Sequence, residues 1–139
     1  MGLRDDLLRL PLARRFSYDG DRNILYINFE GHTARNTADI DAIRERVEAI
    51  VAPLGQKVFA IVNYENFSIA PEQLDAYSAM VGELVTRYYE GVTRYTTSAF
   101  LRAKLGPALA RRHVAPHIFE SPEEAHAHLQ DPVIEEEES

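Results

Sequence analysis

The stretch RYTTSAFLRAK, residues 94–104, sets three hydroxyls, Thr96, Thr97 and Ser98, directly before a segment of helical periodicity. Free N–H groups and the positive dipole end of a helix N-terminus suit an anion. Arg94 precedes the hydroxyls, and Arg102 and Lys104 fall in or just past the first turn. A phosphate, a carboxylate or a pyrophosphate could sit there. The same residues also read as strand threonines, a capping serine and solvated basic side chains, and no Gly-rich phosphate fingerprint decides between the two. A second candidate is Asn63, Tyr64 and Asn66, a polar turn following the apolar run Val58, Phe59, Ala60, Ile61 and Val62. In an open α/β sheet, ligands meet the fold outside the carboxyl ends of the strands, so both turns could share one crevice. The plainer reading is turn chemistry around a half-buried tyrosine.

Other chemistry is thinner. His113, His117, His126 and His128 invite a metal reading. However, His126 and His128 are two apart, on different sides of a helix, and no carboxylate–histidine pattern completes a site, so no metal is expected. No nucleophile elbow accompanies the serines. Tyr88, Tyr89 and Tyr95 cluster around Gly91; one suits the core, and the rest suit a contact surface.

The bulk numbers bound the answer. A chain of 139 residues with 45% hydrophobic content suits one globular domain, expected over residues 1–130. The net charge of −7 argues against nucleic acid, whose phosphates need clustered Lys and Arg. With no cysteine, disulfides and thiolate catalysis are excluded, which is compatible with a reducing compartment, and a cytoplasmic location is expected. No apolar stretch approaches the ~20 residues of a membrane span. Met1 and the acidic end at Ser139 are compatible with a complete gene product and with an excised domain alike.

Periodicity supplies the elements. Leu3, Leu7, Leu8 and Leu10 suit a short amphipathic helix ended by Pro11. Phe16, Ser17 and Tyr18, then Ile24 to Phe29, form two strands around the turn-rich DGDRN, an opening β-hairpin. Asn36-Thr37 caps a helix whose stripe is Ile40, Ile43, Val47, Ile50, Val51 and Leu54, stopped by Gly55. The unbroken run 58–62 suits a strand covered on both faces. Pro71 opens a second helix through Leu74, Tyr77, Val81, Leu84, Val85 and Tyr88, with Gly91 as its stop and residues 92–97 as the next strand. Ser98 caps a third helix to Arg111-Arg112, which Gly106-Pro107 could split. Residues 114–119 read as a last edge strand, with Pro116 fitting an edge position, and Ser121-Pro122-Glu123-Glu124 as a capping box for a helix to about Leu129. From Asp131 the acidic end reads as a solvated, disordered tail. The order ββαβαβαβα implies an α/β fold with a mixed, mostly parallel sheet and right-handed crossovers.

That order, with a buried strand turning into a capped helix, resembles the SpoIIAA-like and STAS folds. FSYD..RN.LYINFEG, APLG.KV.AIVNY.NF and RYY..VTRYTTSAF.R.KLG.AL..R.VAPHIFES.EEA further resemble the C-terminal extension of long bacterial CoA-transferases of the acetate, propionate or 3-ketoacid type, across roughly residues 1–129. RYTTSAFLRAKLG and VAPHIFES are the most distinctive strings. This resemblance implies a non-catalytic accessory domain, because the catalytic glutamate of such transferases lies in a separate, larger domain. Glu30-Gly31 is similar to a Glu-Gly catalytic turn but is ordinary strand-ending chemistry. The implied partner is a CoA-transferase catalytic domain, or a second copy of the chain, and no cofactor is implied. Two alternatives stand. One is a binder of an acyl-CoA, nucleotide or lipid at the Asn63/Ser98 crevice. The other is a STAS-type regulator phosphorylated at Ser68 or Ser98, although the Asp-Ser-Ser-Gly-like turn of that class is replaced here by NYENFS.

Overall fold

A computed structural model describes residues 10–129. The expected helix around Leu3, Leu7 and Leu8 and the tail from Asp131 lie outside these residues. The hairpin is present. β1 (Phe16–Asp19) and β2 (Ile24–Asn28) pair antiparallel, with Phe16 opposite Ile27 and Asp19 opposite Ile24. Asp19 closes the turn by accepting from Asp21 N at 3.0 Å, and Asn23 adopts the left-handed φ of 60° that its short amide tolerates. β4 (Val58–Asn63) lies parallel to β2 on one side and to β6 (Tyr89–Tyr95) on the other, giving the order β1-β2-β4-β6. A separate two-residue parallel pair, β3 (Thr33–Ala34) and β5 (Ser68–Ile69), ties the two crossover loops together.

Strand alternation divides the side chains between two layers. Leu25, Ile27, Val58, Ala60 and Val62 join the large core with α1 (Thr37–Val51) and α2 (Leu74–Tyr88). Ile24 and Ile61 face the other way, into a smaller core closed by Ala125 and Leu129 and flanked by half-buried Tyr26, Phe59 and Tyr95. β4 is therefore an interior strand covered on both faces. α1 starts where Asn36 accepts from Asp39 N at 2.9 Å, and it buries Ile40, Ile43, Val47 and Val51. Gly55 ends its trailing turn at φ 69°.

Three boundaries differ from expectation. Gly91 does not stop a helix. α2 ends at Tyr88, and β6 begins at Tyr89 and runs through the glycine. A Cβ at Gly91 would meet Leu129 O at 3.2 Å and the Phe59 ring at 3.3 Å, so the glycine serves close packing within a strand. α3 (Ala99–Ala110) continues through Gly106-Pro107, with a Cβ at Gly106 only 3.3 Å from Pro116 O. Residues 114–119 are not a strand. They run beside β6 and join it through a single bridge, in which Phe119 N donates to Arg94 O at 2.8 Å and Thr96 N to Phe119 O at 2.9 Å. Further back, the Ala115 carbonyl accepts from the Arg94 side chain at 3.3 Å and not from the β6 backbone. α4 (Pro122–Ala127) follows; Ser121 caps it by accepting from Glu124 N at 3.1 Å, while the Glu124 carboxylate accepts from Glu120 N at 3.2 Å, one residue before the cap that the expected capping box would use.

Candidate functional site

The carboxyl ends of β2, β4 and β6 meet at one edge, and both predicted turns lie there. Tyr64 N donates to Tyr95 O at 2.9 Å, which sets the exits of β4 and β6 side by side. At the centre is Glu65. Its carboxylate accepts from Thr97 N at 3.0 Å, Thr97 Oγ1 at 3.0 Å and Thr96 Oγ1 at 3.1 Å. A charged acceptor holding three donors is a strong, directional tie. Just ahead of α3 the chain thus supplies an anion of its own.

The neighbouring residues extend this clasp. Asn63 Oδ1 accepts from Glu65 N at 2.8 Å, while its Nδ2 reaches Asn28 Oδ1 at 3.2 Å and Glu30 Oε1 at 3.4 Å. Ser98 caps α3 by accepting from Leu101 N at 3.0 Å. Arg102 donates to Thr96 O at 2.8 Å and pairs with Glu120 at 3.6 Å. Tyr95, half-buried beside the clasp, has its pKa raised by burial and then by the charges of Glu30, Glu65 and Glu123. The inner lip of the junction is therefore acidic.

The remaining sequence candidates disperse. Asn66 holds the exposed corner of the turn at a left-handed φ of 55°. Lys104 lies one turn along α3, its Nζ 5.3 Å from the ring centre of Phe100, which is 74% exposed. Ser68 is exposed in β5, with its hydroxyl 3.0 Å from that of Thr33.

Tyr64 and Arg94 point the other way, into the large core, and both are 1% exposed. The Tyr64 hydroxyl lies 2.8 Å from that of Tyr77. Burial raises the pKa of Tyr64, Tyr77 and Tyr89, against the lowering pull of the Arg94 charge. Arg94 Nη1 donates to Ala115 O at 3.3 Å, while Nη2 has no hydrogen-bond partner among the described residues.

Sequence reasoning missed Glu65 as the hub, and Tyr77 and Tyr89 as companions of Arg94. For Tyr64 a signal was present: it continues the same-face alternation of Val58, Ala60 and Val62. Among the described residues no group of three or more His, Asp or Glu side chains could hold a metal ion, and no helix is long and apolar enough to cross a membrane. No family model, curated protein or solved structure matches the chain significantly.

Proposed function

We propose that the chain is a non-catalytic accessory domain of SpoIIAA-like topology that docks on and positions a partner, namely a CoA-transferase catalytic domain, in the cytoplasm. The carrying observation is the Glu65 clasp. Side chains at the place where an α/β sheet usually offers its chemistry are tied to one another, so the junction acts as a rigid mount. Outside that mount, the first turn of α3 presents Phe100, 74% exposed, with Lys104 over its ring. An aromatic side chain of that kind is a suitable anchor for a contact patch, since it offers about 150–250 Å² of burial at small entropic cost. Phe100 and Lys104 both belong to RYTTSAFLRAKLG, among the strings that most resemble the transferase extension.

The test is to mix the chain with a CoA-transferase catalytic domain that lacks such an extension, and to follow mass by size exclusion with light scattering and transferase activity in parallel. The reading expects a complex of the two that Phe100→Asp weakens at least tenfold with Tm unchanged. Separate migration with unaltered activity would count against it. A dimer of the chain alone that Phe100→Asp dissolves would assign the patch to self-association.

A further inference from the structure

Arg94 leaves a charge imbalance inside the fold. Its guanidinium is 1% exposed, and among the described residues it forms no ion pair. An uncompensated charge in an apolar interior is strongly unfavourable, so buried cations are normally paired. The three tyrosines around it cannot provide the opposite charge. Burial holds Tyr64, Tyr77 and Tyr89 above the ordinary phenol range, and they stay neutral at physiological pH. Arg94 also acts on the Tyr64 hydroxyl by its charge and by a side-chain contact, yet Nη2 still finds no acceptor in hydrogen-bond geometry.

Arg94, Tyr64, Tyr77 and Tyr89 line a cavity of about 20 Å³ between the sheet and helices α1 and α2, walled elsewhere by apolar groups such as Phe29 and Met80. A space needs roughly 10–15 Å³ by this measure to take one water-sized body. Two donors are available to it. One is Arg94 Nη2. The other is a phenol proton, because the Tyr64–Tyr77 pair holds two protons and their mutual bond uses one. Unused donor capacity, a net positive charge and a small volume define the occupant.

We infer that this cavity is a binding site for one halide ion, held by Arg94 Nη2 and the Tyr64–Tyr77 hydroxyl pair. The assignment is independent of the accessory role. A divalent oxyanion is too large and would leave a net negative charge. A carboxylate, even formate with its three heavy atoms, needs more than a space of about 20 Å³.

The experiment uses the full chain. Crystals grown in sodium bromide are measured at the bromine edge, and Tm is followed in sodium bromide, formate and sulfate at matched ionic strength, for the wild type and for Arg94→Met. The expected results are an anomalous peak within hydrogen-bonding reach of Nη2 and a bromide-dependent Tm rise that is absent from Arg94→Met. That rise follows from ligand binding to the folded state alone. Formate and sulfate should act alike on both proteins. Non-anomalous density of a water at Nη2, or formate acting as strongly as bromide, would overturn the assignment. Should Arg94→Met not fold, the bromide peak and the bromide–formate contrast in the wild type decide the matter alone.

Discussion

Tyr64 sits in a polar turn, yet its ring packs 5.0 Å from that of Phe67 and its hydroxyl meets Tyr77 inside the core. Removing one member of a buried hydroxyl pair strands the other, at about 1–3 kcal/mol. Tyr64→Phe should therefore lower stability by roughly that amount in urea titration, and adding Tyr77→Phe should recover part of the loss; strict additivity would contradict the pairing. His32 gives a pH-dependent case. It stacks on Phe29 at 5.8 Å, and its pKa is lowered from 6.5, first by burial and then by Arg15 and Arg35, against the opposing pull of Asp39. A base with a depressed folded pKa binds fewer protons folded than unfolded. Its contribution is thus full above pH 6.5 and is lost as pH falls through 6.5 towards the folded value. The urea midpoint of the wild type should drop from pH 7 to pH 5 by more than that of His32→Phe, which keeps the ring and loses the titration. Equal drops would remove His32 from the account.

Among the elements, Gly91 carries the sharpest expectation. A methyl group there presses on Leu129 O and the Phe59 ring, so Gly91→Ala should cost about 1–3 kcal/mol and loosen α4, visible as faster hydrogen exchange at Ala125. A neutral substitution would mean that the sheet–α4 layer gives way freely. The same glycine shows where the sequence is ambiguous. A glycine after an apolar helical stripe reads as a stop, and only the approach of Phe59 and Leu129, both distant in sequence, explains it as a strand residue. The stripes of α1 and α2 and the apolar run of β4 were legible because each signal is local and periodic. Residues 114–119 misled because apolar and β-branched content resembles a strand, whereas the Ala115 carbonyl is taken by the Arg94 side chain, a contact across 21 positions that no local signal shows.

At the scale of the whole molecule, the sequence brought Asn63 and Ser98 to the same end through the parallel strand order alone. It could not show that Glu65 spans the gap, because that contact joins residues 31 and 32 positions apart in two different loops. Nor could it show that Arg94 turns inward, since an arginine at a strand end ordinarily reaches solvent. The clasp outside begins one residue beyond β6, and Arg94 in that strand belongs to the cluster inside, so the junction and the core are joined through the end of one strand. The proposed docking role would draw on that connection, since a mount fixed from within presents Phe100 in one orientation. The most direct measurement is hydrogen exchange at the Thr97 amide by NMR, in the wild type and in Glu65→Ala. The account predicts a protected Thr97 N–H that becomes labile in Glu65→Ala while the Tyr64 amide, bonded to Tyr95 O, stays protected. A Thr97 amide that exchanges in the wild type at the rate of an open loop would contradict it.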